Sequence, residues 1–167
     1  MLLTSKEADK LLKQLENQKE LLLIEEEQSK FFLASVGENV EDCRPEYDFK
    51  KMQEEILNIE TKIISLKHQI NIFNISTKVI GYDMTIDQML VYIPQLTQKK
   101  NKLGSMQNVL PKTREMSSMR SSIIDYRYAN YDIKAVKEAY AAISEELSNA
   151  QIALDKTNIS LKFDVII

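Results

Sequence analysis

From Phe49 onward, apolar residues recur at alternating spacings of three and four: Phe49, Met52, Ile56, Ile59, Ile63, Leu66, Ile70 and Phe73. The pattern continues through Thr77 to Ile80. A heptad seam held this long predicts a single helix over 45–80, running roughly 45–50 Å at about 1.5 Å per residue. A second stripe, Leu57, Ile64, Ile72, Ile75 and Val79, lies off that seam. A two-stranded coil would leave it in water. The pattern therefore places this helix where it is contacted on more than one side, in a bundle or an oligomer.

The flanking segments read as further helices. The first, over 4–34, opens on Thr4-x-x-Glu7, a capping box in which hydroxyl and carboxylate each take an orphan backbone N–H. Ala8, Leu11, Leu15 and Leu22 continue it as a seam, which then fails where Gln18, Glu25 and Ser29 fall on seam positions. Gly37 can end this helix, and Pro45 suits the first position of the next. Gly81 is expected to stop the central helix, and Thr85-x-x-Gln88 to cap a third over 85–110. That helix carries Ile86, Met89, Ile93, Leu96, Leu103 and Leu110, with Pro94 as a kink point and Pro111 as its end. A fourth, over 132–160, follows Asp132 and has its own seam: Ile133, Val136, Tyr140, Ile143, Leu147, Ala150, Leu154, Thr157 and Leu161. It is the expected mate of the central helix.

Two segments alternate with period two instead. Ile124, Tyr126 and Tyr128 alternate with Asp125 and Arg127, and Leu161, Phe163 and Val165 alternate with Lys162 and Asp164. We expect a small β pairing of residues 122–130 with 161–167. The fold class is all-α: an elongated antiparallel helical bundle or coiled coil of about four long helices, in a single domain over 1–167.

Composition sharpens this picture. Three Gly, three Pro and no Trp in 167 residues favour long helices over a turn-rich β fold. The net charge of −3 disfavours a dedicated nucleic-acid binder, which needs a basic excess. The aliphatic run Leu21–Ile24 is far too short to span a membrane, and the start Met1-Leu2-Leu3-Thr4 does not read as a signal peptide, so a cytoplasmic location is expected. Cys43 is the one cysteine, which rules out a disulfide within the chain.

No constellation for catalysis emerges. The one histidine, His68, falls at the outward f position of the central seam. Helical di-iron sites need Glu-x-x-His on two helices, and Ser65 stands three residues before His68. Gly-rich phosphate loops and dinucleotide fingerprints are absent from the sequence. We therefore expect no enzyme activity, no catalytic residue, no cofactor and no metal. The candidate interaction surface is Arg114, Arg120, Tyr126, Arg127, Tyr128 and Tyr131, because Arg and Tyr are favoured at interface hot spots. Asn74, Thr77, Thr85 and Asn158 are candidates for helix capping and for polar register. The expected function is that of a structural or interaction protein, a homo-oligomer assembled through its coiled-coil seams, with a protein partner as a further fit. The alternative is a binding module for an anionic ligand or nucleic acid through Arg114–Tyr131.

Short motifs add a resemblance. They are Arg44-Pro45-Glu46, Asn74-x-x-Thr77, Gly81-x-Asp83-x-Thr85-Ile86, Tyr128-Ala129-Asn130-Tyr131-Asp132 and Leu154-Asp155-Lys156-Thr157-Asn158. With their order along the chain, the protein resembles a family of short helical bacterial proteins described as septicolysin-like. The resemblance implies a helical fold and no agreed activity.

Overall fold

The computed structural model describes residues 1–115 and 125–167. The order of elements is β1 (Leu2–Thr4), α1 (Ser5–Ser29), α2 (Val40–Cys43), α3 (Phe49–Ser76), α4 (Ile86–Gln107), β2 (Lys112–Arg114), β3 (Tyr126–Tyr128), α5 (Ile133–Ser160) and β4 (Lys162–Asp164). This is a mainly helical protein with small two-stranded sheets. Its residues divide into two compact units, Met1–Ser76 with Asn158–Ile167, and Thr77–Thr157.

In the first unit α1 and α3 pack side by side. Glu16 pairs with Lys67, Lys19 with Glu60, and Glu26 with Gln53, so numbers rise along one helix as they fall along the other. The pair is antiparallel. Its core is Ala8, Leu15, Leu66 and Val165, with Leu11, Ile59, Ile63 and Ile70 packed against it. Further along the seam Met52, Ile56 and Phe73 are buried, whereas Phe49 at its start is exposed. Thr4 caps α1 as the sequence suggests: its Oγ1 accepts from the Glu7 N–H and the Glu7 carboxylate accepts from the Thr4 N–H. The Thr4 N–H, first, and the Thr4 hydroxyl both donate to the Glu7 carboxylate and hold it below its ordinary pKa.

The second unit is built on α4 and α5. Tyr92 meets Glu146, Gly104 faces Tyr140, and the Tyr131 hydroxyl donates to the Met106 carbonyl, so this pair is antiparallel too. Every seam position of α5 from Ile133 to Thr157 is buried or half-buried. Thr85 and Gln88 form the expected capping box, and α4 runs on through Pro94. Within each unit the long helices have their own partner: α3 takes α1, and α5 takes α4.

Helix bounds differ from the sequence reading at four points: the third helix ends at Gln107 instead of 110, and the other three have a local reason. The first helix ends at Ser29 instead of 34, beyond the stretch where its seam has failed. The central helix begins at Phe49 instead of 45, because the Asp48 carboxylate accepts from the Lys50 and Lys51 N–H groups and serves as the cap. It ends at Ser76, well before Gly81. There Ser76 Oγ donates back to the Ile72 carbonyl, and the chain leaves into a tight turn. Val79 N donates to Met84 O and Ile86 N to Thr77 O across that turn, with Gly81 at φ 86°. A positive φ costs glycine little, so Gly81 sits at the bend of the turn instead of closing the helix.

The β pairing exists, but with other partners than 122–130 with 161–167. β4 lies antiparallel to β1, with Leu3 opposite Phe163, while β3 lies antiparallel to β2, with Thr113 opposite Arg127. Pairing β2 with β3, its neighbour in the order of elements, costs less chain entropy than a distant pairing. The tail is claimed instead by the N-terminal residues: the Val165 N–H donates to Met1 O and the Met1 amine donates to Val165 O. Val165 is buried there, and Phe163 stacks on Phe73 with ring centroids 4.4 Å apart.

Candidate functional site

The segment with the arginines and tyrosines forms a two-stranded ribbon. Antiparallel register puts Lys112 opposite Tyr128 and Arg114 opposite Tyr126. Directly opposed residues share a face and alternate residues change face. One face therefore carries Lys112, Arg114, Tyr126 and Tyr128, two cations and two phenols with no acid among them. The other face carries Thr113, Glu115 and Arg127, and there the Arg127 guanidinium is paired with Glu115 at 2.6 Å. On the first face Lys112 Nζ stands 4.0 Å from the Tyr126 ring centroid and 5.5 Å from that of Tyr128. Such contacts contribute on the order of 0.5–1 kcal/mol at an exposed site. All six strand residues are exposed.

The structure thus brings Arg114, Tyr126 and Tyr128 to one face and turns Arg127 to the other. Tyr131 stands apart, with its hydroxyl spent on the Met106 carbonyl. Arg120 lies outside the described residues. Among the polar candidates, Thr85 caps α4 and the Thr77 carbonyl accepts from Ile86 N. Asn74 and Asn158 are half-buried, no hydrogen bond joins them, and Asn158 Oδ1 has no partner.

Two polar devices in the second unit escaped sequence reasoning. Thr157, fully buried, accepts from the Ile80 N–H at 3.0 Å and donates to Ala153 O at 2.8 Å. A small seam residue there was legible, its task of satisfying a remote backbone donor was not. Glu146 accepts from both Tyr82 and Tyr92, each at 3.2 Å. Burial, then the charge of Glu146 and its hydrogen bond, hold both phenols above their ordinary pKa. Nothing in the spacing of these three residues announces the cluster.

The remaining chemistry is sparse. A groove of about 450 Å³ beside the start of α3 is lined by Glu25, Glu46, Asp48 and Glu55, with Lys51 among them. Among the described residues no group of His, Cys, Asp and Glu is arranged to hold a metal ion. Cys43 is a free, half-buried thiol, and His68 is exposed on α3. Among the described residues no helix is long and apolar enough to cross a membrane.

The most conspicuous surface is apolar. On α3 the stripe that lies off the seam remains open: Leu57 is 62% exposed, Ile64 70%, Ile72 48% and Ile75 59%. Val79, beyond the helix, is the one member of that stripe that is buried.

These features define a mainly helical protein built from antiparallel helix pairs, with an exposed cation–tyrosine ribbon. No family model matches the chain, and no curated protein matches it. Among solved structures it is similar to a functionally unknown conserved protein from Corynebacterium diphtheriae. The likeness covers 98% of this chain and 100% of the other, at 16% identity and a TM-score of 0.60. It establishes a shared fold.

Proposed function

We propose that this protein is a non-enzymatic helical interaction protein of the cytoplasm that self-assembles. The observation that supports this reading is the open stripe of α3. Leu57, Ile64, Ile72 and Ile75 are large aliphatic side chains on one helix, all about half or more exposed. Scattered surface leucines are ordinary, but a contiguous apolar strip marks an interaction site. The covered seam of α3 is filled by α1 within the chain, so the assembly uses the second stripe. Light scattering after gel filtration tests the reading. We expect a dimer or larger species in the micromolar range, and a monomer across that range would overturn it.

A second reading, a binding module for an anionic ligand, is supported by the ribbon face of Lys112, Arg114, Tyr126 and Tyr128. Binding through that face would weaken with salt and with Lys112→Glu and Arg114→Glu. Absence of salt-sensitive binding to a polyanion such as heparin at low ionic strength would remove this reading.

A further inference from the structure

Where the chain passes from α1 to α3, large apolar side chains stand in water. Leu33 is 96% exposed and Phe31 78%, Val36 is fully exposed, and Val40 and Phe49 are about half exposed or more. Phe32 is half-buried, with the Arg44 guanidinium 5.3 Å from its ring centroid. α1 stops at Ser29 and α3 starts at Phe49, so these residues lie on the connection at one end of the helix pair. Burying a side chain of this kind stabilises by about 1.5–3 kcal/mol, a gain the chain leaves unused here.

The same end of the pair is strongly acidic. Residues 25–55 carry ten Asp and Glu against Lys30, Arg44, Lys50 and Lys51, a net charge of −6 in a chain whose total is −3. Three of those four cations are already paired, Lys30 with Glu27, Arg44 with Glu41 and Lys51 with Glu55. Glu25, Asp42, Glu46 and Glu54 are exposed and have no ion pair among the described residues. The groove of about 450 Å³ beside the start of α3 is lined by Glu25, Glu46, Asp48 and Glu55 with Lys51. One wall of it breaks a local rule. Glu25, Glu26 and Glu27 fall in the last turns of α1, where the helix dipole favours cations, and the last turn holds no basic residue. The carboxylates and the negative end of the dipole both favour a cation supplied from outside the pair.

We infer that this end of the α1–α3 pair is a docking surface for a basic amphipathic helix of a partner protein. The apolar face of that helix covers Phe31, Leu33 and Val36, and its lysines and arginines meet the carboxylates of the groove. Such a partner matches both the apolar and the acidic part of the surface. Other occupants match only one. An anionic membrane gains from the apolar connection but is repelled by the net charge of −6. A second copy brings the same −6 to the contact, so like charge opposes that pairing. A flexible polycation meets the carboxylates and leaves the apolar residues in water. The surface shares no residue with the α3 stripe proposed above for self-assembly, so it is a second and separate contact.

Fluorescence anisotropy on the full chain tests this, with a labelled synthetic amphipathic helix of leucine and lysine as the probe and circular dichroism confirming that each variant is folded. The probe should bind, and bind more weakly as salt rises. Leu33→Ser with Val36→Ser should weaken binding about ten-fold or more, and Glu25→Lys with Glu46→Lys by a similar factor. Ile64→Glu, on the α3 stripe, should leave binding within about two-fold of the wild type. Failure of the probe to bind would overturn the proposal. Equal binding of oligolysine would overturn it by showing that charge alone suffices, and equal binding of an amphipathic helix of leucine and glutamate by showing that the acids select nothing. A loss in Ile64→Glu as large as in the connection variants would move the probe to the stripe and overturn the site. Binding of the chain to phosphatidylcholine–phosphatidylglycerol vesicles, lost in Leu33→Ser with Val36→Ser, would make the occupant a membrane instead.

Discussion

The two antiparallel helix pairs solve the same packing problem with different chemistry. Between α1 and α3 the contact is a dry aliphatic seam, Ala8 and Leu15 against Leu66, with ion pairs only along its flanks. Between α4 and α5 the contact carries hydrogen bonds, Tyr92 on Glu146 and, just before α5, Tyr131 on Met106 O, beside the packing of the Tyr140 ring against Gly104. Dispersion and the hydrophobic effect act without direction, so the first pair tolerates sliding until its seam residues interdigitate. Hydrogen bonds act with direction, so the second pair has its register fixed at named atoms.

Truncation of the dry seam should have the largest effect. Leu66 is fully buried, and Leu66→Ala should lower unfolding stability by about 2–5 kcal/mol through lost burial and the cavity left behind. Urea denaturation reads this directly. A loss below about 1 kcal/mol would show that the α1–α3 seam collapses around the gap, and the contrast between the pairs would shrink.

Next comes a tether. Thr157→Val keeps the shape but leaves the Ile80 N–H without its acceptor, at a cost of about 1–3 kcal/mol. Thr157→Ser, which keeps the hydroxyl, should recover most of that. Equal losses in Val and Ser would assign the effect to packing and make this site resemble the first pair.

The Tyr82–Glu146–Tyr92 cluster predicts a pH dependence with a definite sign. Both phenols are held above their ordinary pKa near 10, so the folded state binds their protons more tightly than the unfolded state. Their contribution is fully present below the unfolded value and is lost as pH rises through the folded one. Tyr82→Phe with Tyr92→Phe should flatten the alkaline decline seen in thermal unfolding above pH 10. An unchanged alkaline profile would detach the cluster from stability.

The smallest effect on stability is expected on the open side of α3. Ile64 is 70% exposed, so Ile64→Ser should change the stability of the dilute protein by no more than about 0.5 kcal/mol. Its consequence belongs to association. A loss comparable to that of Leu66→Ala would mean that the residue is covered within the chain.

Local signals read well along this sequence. Thr4 with Glu7 and Thr85 with Gln88 are capping boxes in the structure as in the motif, because all their partners lie within one turn. Helix ends were less legible. Pro45 and Gly81 look like boundaries, yet Asp48 and Ser76 supply the hydrogen bonds that set them, and several residues near each end could have done so. Of the candidate surface, the composition was visible and the facing was not. Arg127 belongs to the opposite side of the ribbon from Arg114, and only the register of β2 against β3 decides that.

The sequence by itself determined the helical class, the seam of α3 and the existence of a second apolar stripe, since a period of 3.6 residues is a property of the backbone and needs no partner. Tertiary structure decided which element covers which face. It gave the first seam to α1, gave α5 to α4, paired the tail with Leu2–Thr4 and left Leu57, Ile64, Ile72 and Ile75 open. Apolar faces of similar pattern are interchangeable partners at the level of residue spacing. The choice among them rests on chain connectivity, loop closure and a few directional bonds, and these become readable only once distant residues are brought together.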